Sequence, residues 1–295
     1  MPVVAKVGRA TLRDYGGAGM PVVVVPSLIN PPFILDLMEG NSLLRWLATQ
    51  GVRPLLVDWG DPTPAERVMD ISAHVEKLLL PLMDAIGERP LLAGYCLGGT
   101  MAMAAAALRP VSGLAMIAAP WNFSGFGDDA CAEMTSLWTS AVPMVDALGL
   151  VPMEVLQTGF WQLDPDRVID KYAAFAAMPP ESDGFRTFVA MEDWANSGAP
   201  LTQAAGQQLF ERFVGADDPG MKQWRVGDRV IDPAALSCPA FDILSASDRI
   251  VPAASASGLP NRLVLEAGHV GMVVGRQRMT LWQPLASWLS QVQHN

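Results

Sequence analysis

The amino-acid sequence predicts an α/β fold: a doubly wound, mostly parallel sheet with a helical cap insertion. Three observations predict it. Short apolar runs alternate with stretches of helical periodicity, the pattern of a parallel sheet buried between layers of helices. One strand-to-helix junction carries the glycine-rich turn Gly94-Tyr95-Cys96-Leu97-Gly98-Gly99, a shape that holds a reactive side chain above a sheet. The alternation stops at Ala119-Pro120 and resumes near Asp232. Residues 120–232 are therefore expected to form the insertion, and residues 1–119 with 233–295 the core.

Taken in order, Val3 to Asp14 is expected to open the chain as a hairpin. Val22 to Val25 is a continuous β-branched run, as befits a strand buried on both faces. Leu43, Leu44 and Leu47 predict a helix over 41–50, and Leu55 to Asp58 the next strand. An amphipathic stretch predicts a helix over 65–86. The strand Pro90 to Ala93 then enters the glycine turn, and the small-residue run Met101 to Leu108 leaves it as a helix. Leu114 to Ala118 is a further strand. Beyond the insertion come the strands Ala240 to Leu244 and Arg262 to Leu265, then a final helix with Trp282, Leu285, Trp288 and Leu289. The insertion itself predicts helices and no core strand. It gathers Trp121, Phe123, Phe126, Trp138, Phe160, Trp161, Tyr172, Phe175, Phe185, Phe188 and Trp194, with several methionines. Most of these are expected to pack the cap's own core, and a minority to line an acyl-chain pocket.

Cys96 stands where a nucleophile elbow most often carries serine. Glycines beside it let strand and helix approach, and the strained turn exposes the nucleophile. Taken alone, the turn also fits an ordinary buried cysteine. A catalytic triad needs a histidine, and the chain has three. His74 lies in the amphipathic stretch and is expected at the surface or its boundary. His294 adjoins the C-terminus, where chains fray. His269, in Gly268-His269-Val270-Gly271 after the last predicted strand, is left as the candidate base. Asp248 follows the strand before it and is the candidate third member. Cys96, Asp248 and His269 each follow a strand, in the chain order of the α/β-hydrolase fold. The Leu97 N–H is expected to form one half of an oxyanion hole. The other half belongs to the loop Pro26-Ser27-Leu28-Ile29, where Pro26 has no N–H and Leu28 is preferred to Ser27. Cys131 and Cys238 sit on no elbow and are expected to be structural.

Composition narrows the function. Hydrophobic residues are 51% of the 295, charged ones 17%, and the net charge is −10 (20 Lys and Arg against 30 Asp and Glu). Such an acidic chain is a poor match for nucleic acid. No apolar run is long enough to span a bilayer. The start lacks the basic and apolar regions of a signal peptide. Three cysteines without metal spacing predict no metal site and a reducing, cytoplasmic setting, and no cofactor is expected.

Several segments together resemble the polyhydroxyalkanoate synthases, bacterial enzymes that polymerise 3-hydroxyacyl-CoA. They include Val23 to Asn30, Phe33 to Leu37, Asn41 to Leu47 and Val57-Asp58-Trp59-Gly60-Asp61-Pro62. They continue with the elbow, Ser247-Asp248-Arg249-Ile250-Val251-Pro252, Gly268 to Gly271 and the tail Trp282 to Leu289. In the insertion the resemblance rests on Met191-Glu192-Asp193-Trp194. It is nearest to the short synthase subunits that work with a second protein. The resemblance implies that Cys96 holds the growing acyl chain and His269 is the general base. It implies that Asp248 either orients His269 or helps activate the substrate hydroxyl. It further implies acyl-CoA as substrate, a second subunit or a second copy as partner, and work at a polyester granule surface. Two features depart from the family: the chain begins almost directly at the sheet, and Arg249 stands where histidine is frequent. A thioester or polyester hydrolase on the same triad is the alternative. A catalytically idle granule-binding protein is a third reading, which the triad residues argue against.

Overall fold

The valines from Val22 to Val25 offer nothing polar to water on either side, and the chain sets them inside an eight-stranded sheet. The computed structural model describes residues 1–162 and 165–294, with the side chains of 160–168 outside that description. The strands are β1 (Val3–Val7), β2 (Ala10–Asp14), β3 (Pro21–Val25) and β4 (Arg53–Asp58). β5 (Leu91–Tyr95), β6 (Gly113–Ile117), β7 (Ala240–Ser245) and β8 (Arg262–Leu265) complete it. Their spatial order is β1-β2-β4-β3-β5-β6-β7-β8. β1 and β2 form the expected hairpin, β2 lies antiparallel to β4, and the remaining pairs are parallel. Because β3 lies between β4 and β5, the sheet has a switch point at its carboxyl edge there, where open sheets of this kind bind ligands.

Side chains alternate along β3. Val23 and Val25 join the apolar layer built with α2 (residues 71–84) and α3 (Leu97–Leu108). Val22 and Val24 join the opposite layer, with α1 (Leu43–Thr49). Each such valine, fully removed from water, stabilises the fold by roughly 1.5 kcal/mol or more.

The insertion contains α4 (Asp128–Leu148), α5 (Met153–Gln162), α6 (Pro165–Ala176), α7 (Asp183–Ala195) and α8 (residues 203–214). A final helix, α9 (Met279–Gln293), returns to the layer beside α1. Two pairs of two-residue strands also form within 120–232, and among the described residues neither joins the main sheet. Most aromatic residues of the insertion pack on one another. Trp121 lies against Trp224, Phe123 against Phe126 and Phe213, Trp138 against Phe210, and Phe175 between Phe185 and Phe188. The side chains of Phe160 and Trp161 lie outside the described residues. Among the described residues no helix is long and apolar enough to cross a membrane.

Two local expectations are corrected. The helix expected over 65–86 starts only at Ile71, because the Asp70 side chain accepts the Ala73 N–H and caps it there. Within it, Val75–Leu79 widens to a π turn just before Pro81, which has no N–H to return to the preceding turn. His74 is not a surface residue: it is 2% exposed. Its Nδ1 bonds the Asp70 carbonyl, its Nε2 meets the Arg9 guanidinium at 2.7 Å, and its ring stands edge-on to Trp59. The face that looks polar in the sequence is covered by the edge of β1–β2 and the turn after β4.

Burial, helped by Arg9, holds His74 down at about 4, against weaker upward pulls from the Asp70 carbonyl and Glu66. The unfolded chain therefore takes up this proton near pH 6.5 while the folded chain resists it. Stability is present above pH 6.5 and is lost as pH falls toward 4, by on the order of 3 kcal/mol across the window. Urea midpoints measured from pH 7 to pH 4 should fall more steeply for the wild type than for His74→Gln. Equal slopes would remove His74 as the cause.

Candidate active site

The site is built at the carboxyl edge of the sheet. β5 is apolar and buried along its length, and it ends at a turn that only small residues allow. A Cβ at Gly94 would lie 2.4 Å from the Gly99 Cα, and one at Gly98 would lie 2.2 Å from the Val25 carbonyl oxygen. With strand and helix this close, Cys96 is forced to φ 56° and ψ −135°, a conformation side chains rarely adopt. Its N–H is anchored on the Ile117 carbonyl at 2.9 Å. The thiol therefore stands at the N-terminus of α3, on the face where the helix dipole favours negative charge.

β7 and β8 bring the other two residues to it. The His269 Nδ1 meets Asp248 Oδ2 at 2.6 Å, and the Asp248 side chain is fully buried. Asp248 Oδ1 accepts the N–H groups of Ile250 and Val251 at 2.8 and 2.9 Å. Both carboxylate oxygens are thus engaged. The Nε2 side of the imidazole is left for Cys96, which lines the same cavity and helps to raise the imidazole. Tyr95, one residue before Cys96, completes the packing. Its ring centroid lies 5.0 Å from that of His269, and its hydroxyl donates to the His269 carbonyl at 3.2 Å. Burial works against a charged imidazole, but the negative charge of the Cys96 thiolate and the bonds to Asp248 outweigh it and raise His269 to about 10.

The three triad candidates therefore come together. The oxyanion candidates are placed less tightly. Leu97 is the first residue of α3, and among the described residues its N–H has no protein acceptor. In the loop after β3, the Ile29 N–H is committed to Ser27 Oγ at 3.1 Å. The N–H groups of Ser27 and Leu28 carry no such bond among the described residues. The Leu28 side chain turns into the core, while Ser27, Ile29 and Asn30 line the cavity over Cys96.

That cavity has a volume of about 400 Å³. Its far wall comes from the insertion: Gln157 of α5, Lys171 of α6, and Met191, Glu192 and Trp194 of α7. Of the aromatic residues named in the insertion, Trp194 is the one among the described residues that lines it. Lys171 and the Tyr172 hydroxyl both bond Glu192, at 2.7 and 2.6 Å, and tie α6 to α7 at this wall. Gln157, Lys171 and Glu192 carry no signal in the sequence beyond the Met191-to-Trp194 segment. Arg249 also lines the cavity.

Residues 22–278 match the alpha/beta hydrolase family. The chain is 26% identical to the poly(3-hydroxyalkanoate) polymerase subunit PhaC of Haloferax mediterranei and 27% identical to that of Haloarcula marismortui. These alignments cover 92% and 97% of this chain but 59% and 64% of the relatives, so the chain spans less than two thirds of their length. The subunit of the same name from Synechocystis is 29% identical, over 93% of this chain and 78% of its own. Among solved structures, a monoacylglycerol lipase from Paleococcus ferrophilus superposes with a TM-score of 0.60 at 14% identity, covering 100% of both chains. An esterase from Thermogutta terrifontis gives 0.59 at 18%, covering 96% of this chain and 94% of its own. At those identities the two structures speak for the fold alone.

The three cysteines differ in reactivity. Burial, with the nearby carboxylates of Asp128 and Asp217, pushes the Cys131 thiol up, and burial pushes up that of Cys238. Cys131 Sγ is turned to the Phe123 carbonyl. Iodoacetamide at pH 7 is expected to alkylate Cys96 first, since Cys96 opens onto the cavity at a helix N-terminus while the other two thiols are pushed up. Peptide mass mapping checks the order. Labelling of Cys131 or Cys238 ahead of Cys96 would contradict the choice of Cys96 as the reactive thiol.

Proposed function

This chain belongs to the alpha/beta hydrolase family, and on that scaffold we propose an acyltransferase of the polyhydroxyalkanoate synthase type. In this reading Cys96 takes a 3-hydroxyacyl group from a CoA thioester and passes it to a hydroxyl acceptor. One observation carries the reading: a cysteine, not a serine, occupies the elbow, in one cavity with a histidine whose Nδ1 is held by a buried carboxylate. The likeness to the three PhaC subunits over most of this chain supports it.

The chemistry follows from the atoms. The Cys96 thiolate attacks the thioester carbonyl carbon, and the carbonyl oxygen gains the negative charge. The Leu97 N–H at the helix end, with an N–H from the loop after β3, would bind that oxygen. The bond to the CoA sulfur breaks, and the departing thiolate takes the proton from His269. One thioester has replaced another, so little free energy changes. Neutral His269 then accepts the proton of an incoming hydroxyl, whose oxygen attacks the acyl carbon. Cys96 leaves as thiolate and pairs again with the imidazolium. The Met191 and Trp194 part of the wall would limit the access of water to the waiting acyl group.

Asp248 acts through His269 in this scheme. Its two oxygens are taken by His269 Nδ1 and by two backbone N–H groups, so neither is left to deprotonate an acceptor. The relatives are named as subunits. On that ground the proposal includes a partner, a second synthase subunit or a second copy, at a polyester granule in the cytoplasm.

The test is purified protein mixed with 3-hydroxybutyryl-CoA. CoA release with polymer is the expected result. Release with free 3-hydroxybutyrate makes the protein a hydrolase, and no release removes the enzymatic reading. Cys96→Ala should abolish release and keep the melting temperature. Asp248→Asn should slow acylation of Cys96 by on the order of 10³-fold, because its amide forces the imidazole into the wrong tautomer. Intact-protein mass after rapid mixing measures the adduct. Normal acylation in Asp248→Asn would show that the carboxylate does not act through His269.

A further inference from the structure

Two tryptophans reach the loop after β3: Trp59 in Asp58-Trp59-Gly60, just past β4, and Trp194 in Met191-Glu192-Asp193-Trp194, near the end of α7. They come from distant parts of the chain, one in the core and one in the insertion. Both place an indole N–H on the same loop. Trp59 Nε1 donates to the Pro26 carbonyl at 3.1 Å, and Trp194 Nε1 donates to the Pro31 carbonyl at 2.9 Å. These carbonyls bracket residues 27–30, the segment after β3 that holds the candidate second oxyanion donor.

The geometry of the grip is specific. Proline fixes its own φ, so a hydrogen bond to a proline carbonyl leaves little freedom in the peptide plane that follows. Pro26 is further pinned from below, because α3 packs so closely that a Cβ at Gly98 would lie 2.5 Å from its carbonyl oxygen. Between the two held ends, Ser27 Oγ closes a turn onto the Ile29 N–H. Trp59 and Trp194 are 6% and 8% exposed, and the Trp59–Pro26 bond is buried.

We infer that Trp59 and Trp194 are positioning residues that clamp the two ends of this loop and so aim its N–H at the oxygen of an acyl group on Cys96. The inference rests on the acyl-transfer reading above. It adds a dependence that the triad alone does not have. Trp194 belongs to α7, whose Met191 and Glu192 form the far wall of the cavity. Loop geometry therefore depends on α7 being docked, and the helix that walls the cavity also completes the oxyanion hole.

The test compares two reactions of the same thiolate. Acylation builds negative charge on an oxygen, whereas alkylation by iodoacetamide at a saturated carbon builds none. Trp59→Phe and Trp194→Phe remove the N–H and keep an aromatic ring. Each should slow acylation of Cys96 by 3-hydroxybutyryl-CoA about tenfold, less than the loss of a direct oxyanion donor, while alkylation stays within about twofold. The pH profile of alkylation should also be unchanged, since the Cys96–His269 pair is untouched. Acylation at the wild-type rate in both variants overturns the inference. Loss of both reactions together overturns it too, because the indoles would then serve general packing. Parallel runs with 4-nitrophenyl butyrate separate the two readings. A wild type acylated by this ester and not by acyl-CoA sinks the CoA-thioester reading, and the clamp is then decided by the same comparison on the ester. A wild type acylated by neither overturns both.

Discussion

Close backbone packing at the elbow is the constraint on which the rest of the site depends. Gly94 and Gly99 bring β5 against the start of α3 at a distance that no side chain permits, and Gly98 presses the same helix onto the end of β3. Cys96 is held in its unusual conformation as the consequence, a strain that costs on the order of 1–3 kcal/mol. The surrounding sheet supports that cost because both apolar layers are anchored on the same strands. What the strain provides is position. The thiol, the first N–H of α3 and the loop after β3 all converge on one point above the sheet.

Electrostatics at that point is a contest between burial and pairing. An imidazolium this buried is unfavourable alone, and a carboxylate with no exposure is more so. Each is made tolerable by the other and by Cys96. Asp248 has two backbone N–H groups on one oxygen and His269 on the other, so its charge is fully solvated by protein. Tyr95 adds a stacked ring and a hydrogen bond to the His269 main chain, which fixes the loop after β8 relative to the elbow. The result is an imidazole fixed by the Asp248 carboxylate on Nδ1 and by Tyr95 on its main chain, in place beside Cys96.

Core and insertion divide the work. The core supplies every group of the triad, each at the carboxyl end of a strand. The insertion supplies the far wall, with Met191 and Trp194 as apolar surface and the Lys171–Glu192 ion pair at its polar part. Such an ion pair, partly exposed, contributes little to stability, yet it fixes α6 against α7 beside the cavity. The same α7 reaches the loop after β3 through Trp194, so the two parts of the chain meet at the cavity over Cys96.

The sequence by itself determined the sheet, the elbow and the meeting of Cys96, Asp248 and His269. Its valine run, its alternation of strands with helices and its three flanking glycines are local patterns that admit few other structures. Local signals also placed each candidate after a strand, and the switch in strand order did the rest. Only the tertiary structure decided what lies on the polar side of an amphipathic helix. Thus His74, on a face that looks solvated, is buried under Arg9 and Trp59, and the helix carrying it starts late because Asp70 caps it. Only the tertiary structure decided that both oxygens of Asp248 are occupied, which aromatic residue lines the cavity, and that Trp59 and Trp194 hold one loop. The reason is physical. Periodicity in a sequence reports which face of an element avoids water, whereas a hydrogen bond between residues far apart exists only after the elements bearing them have packed.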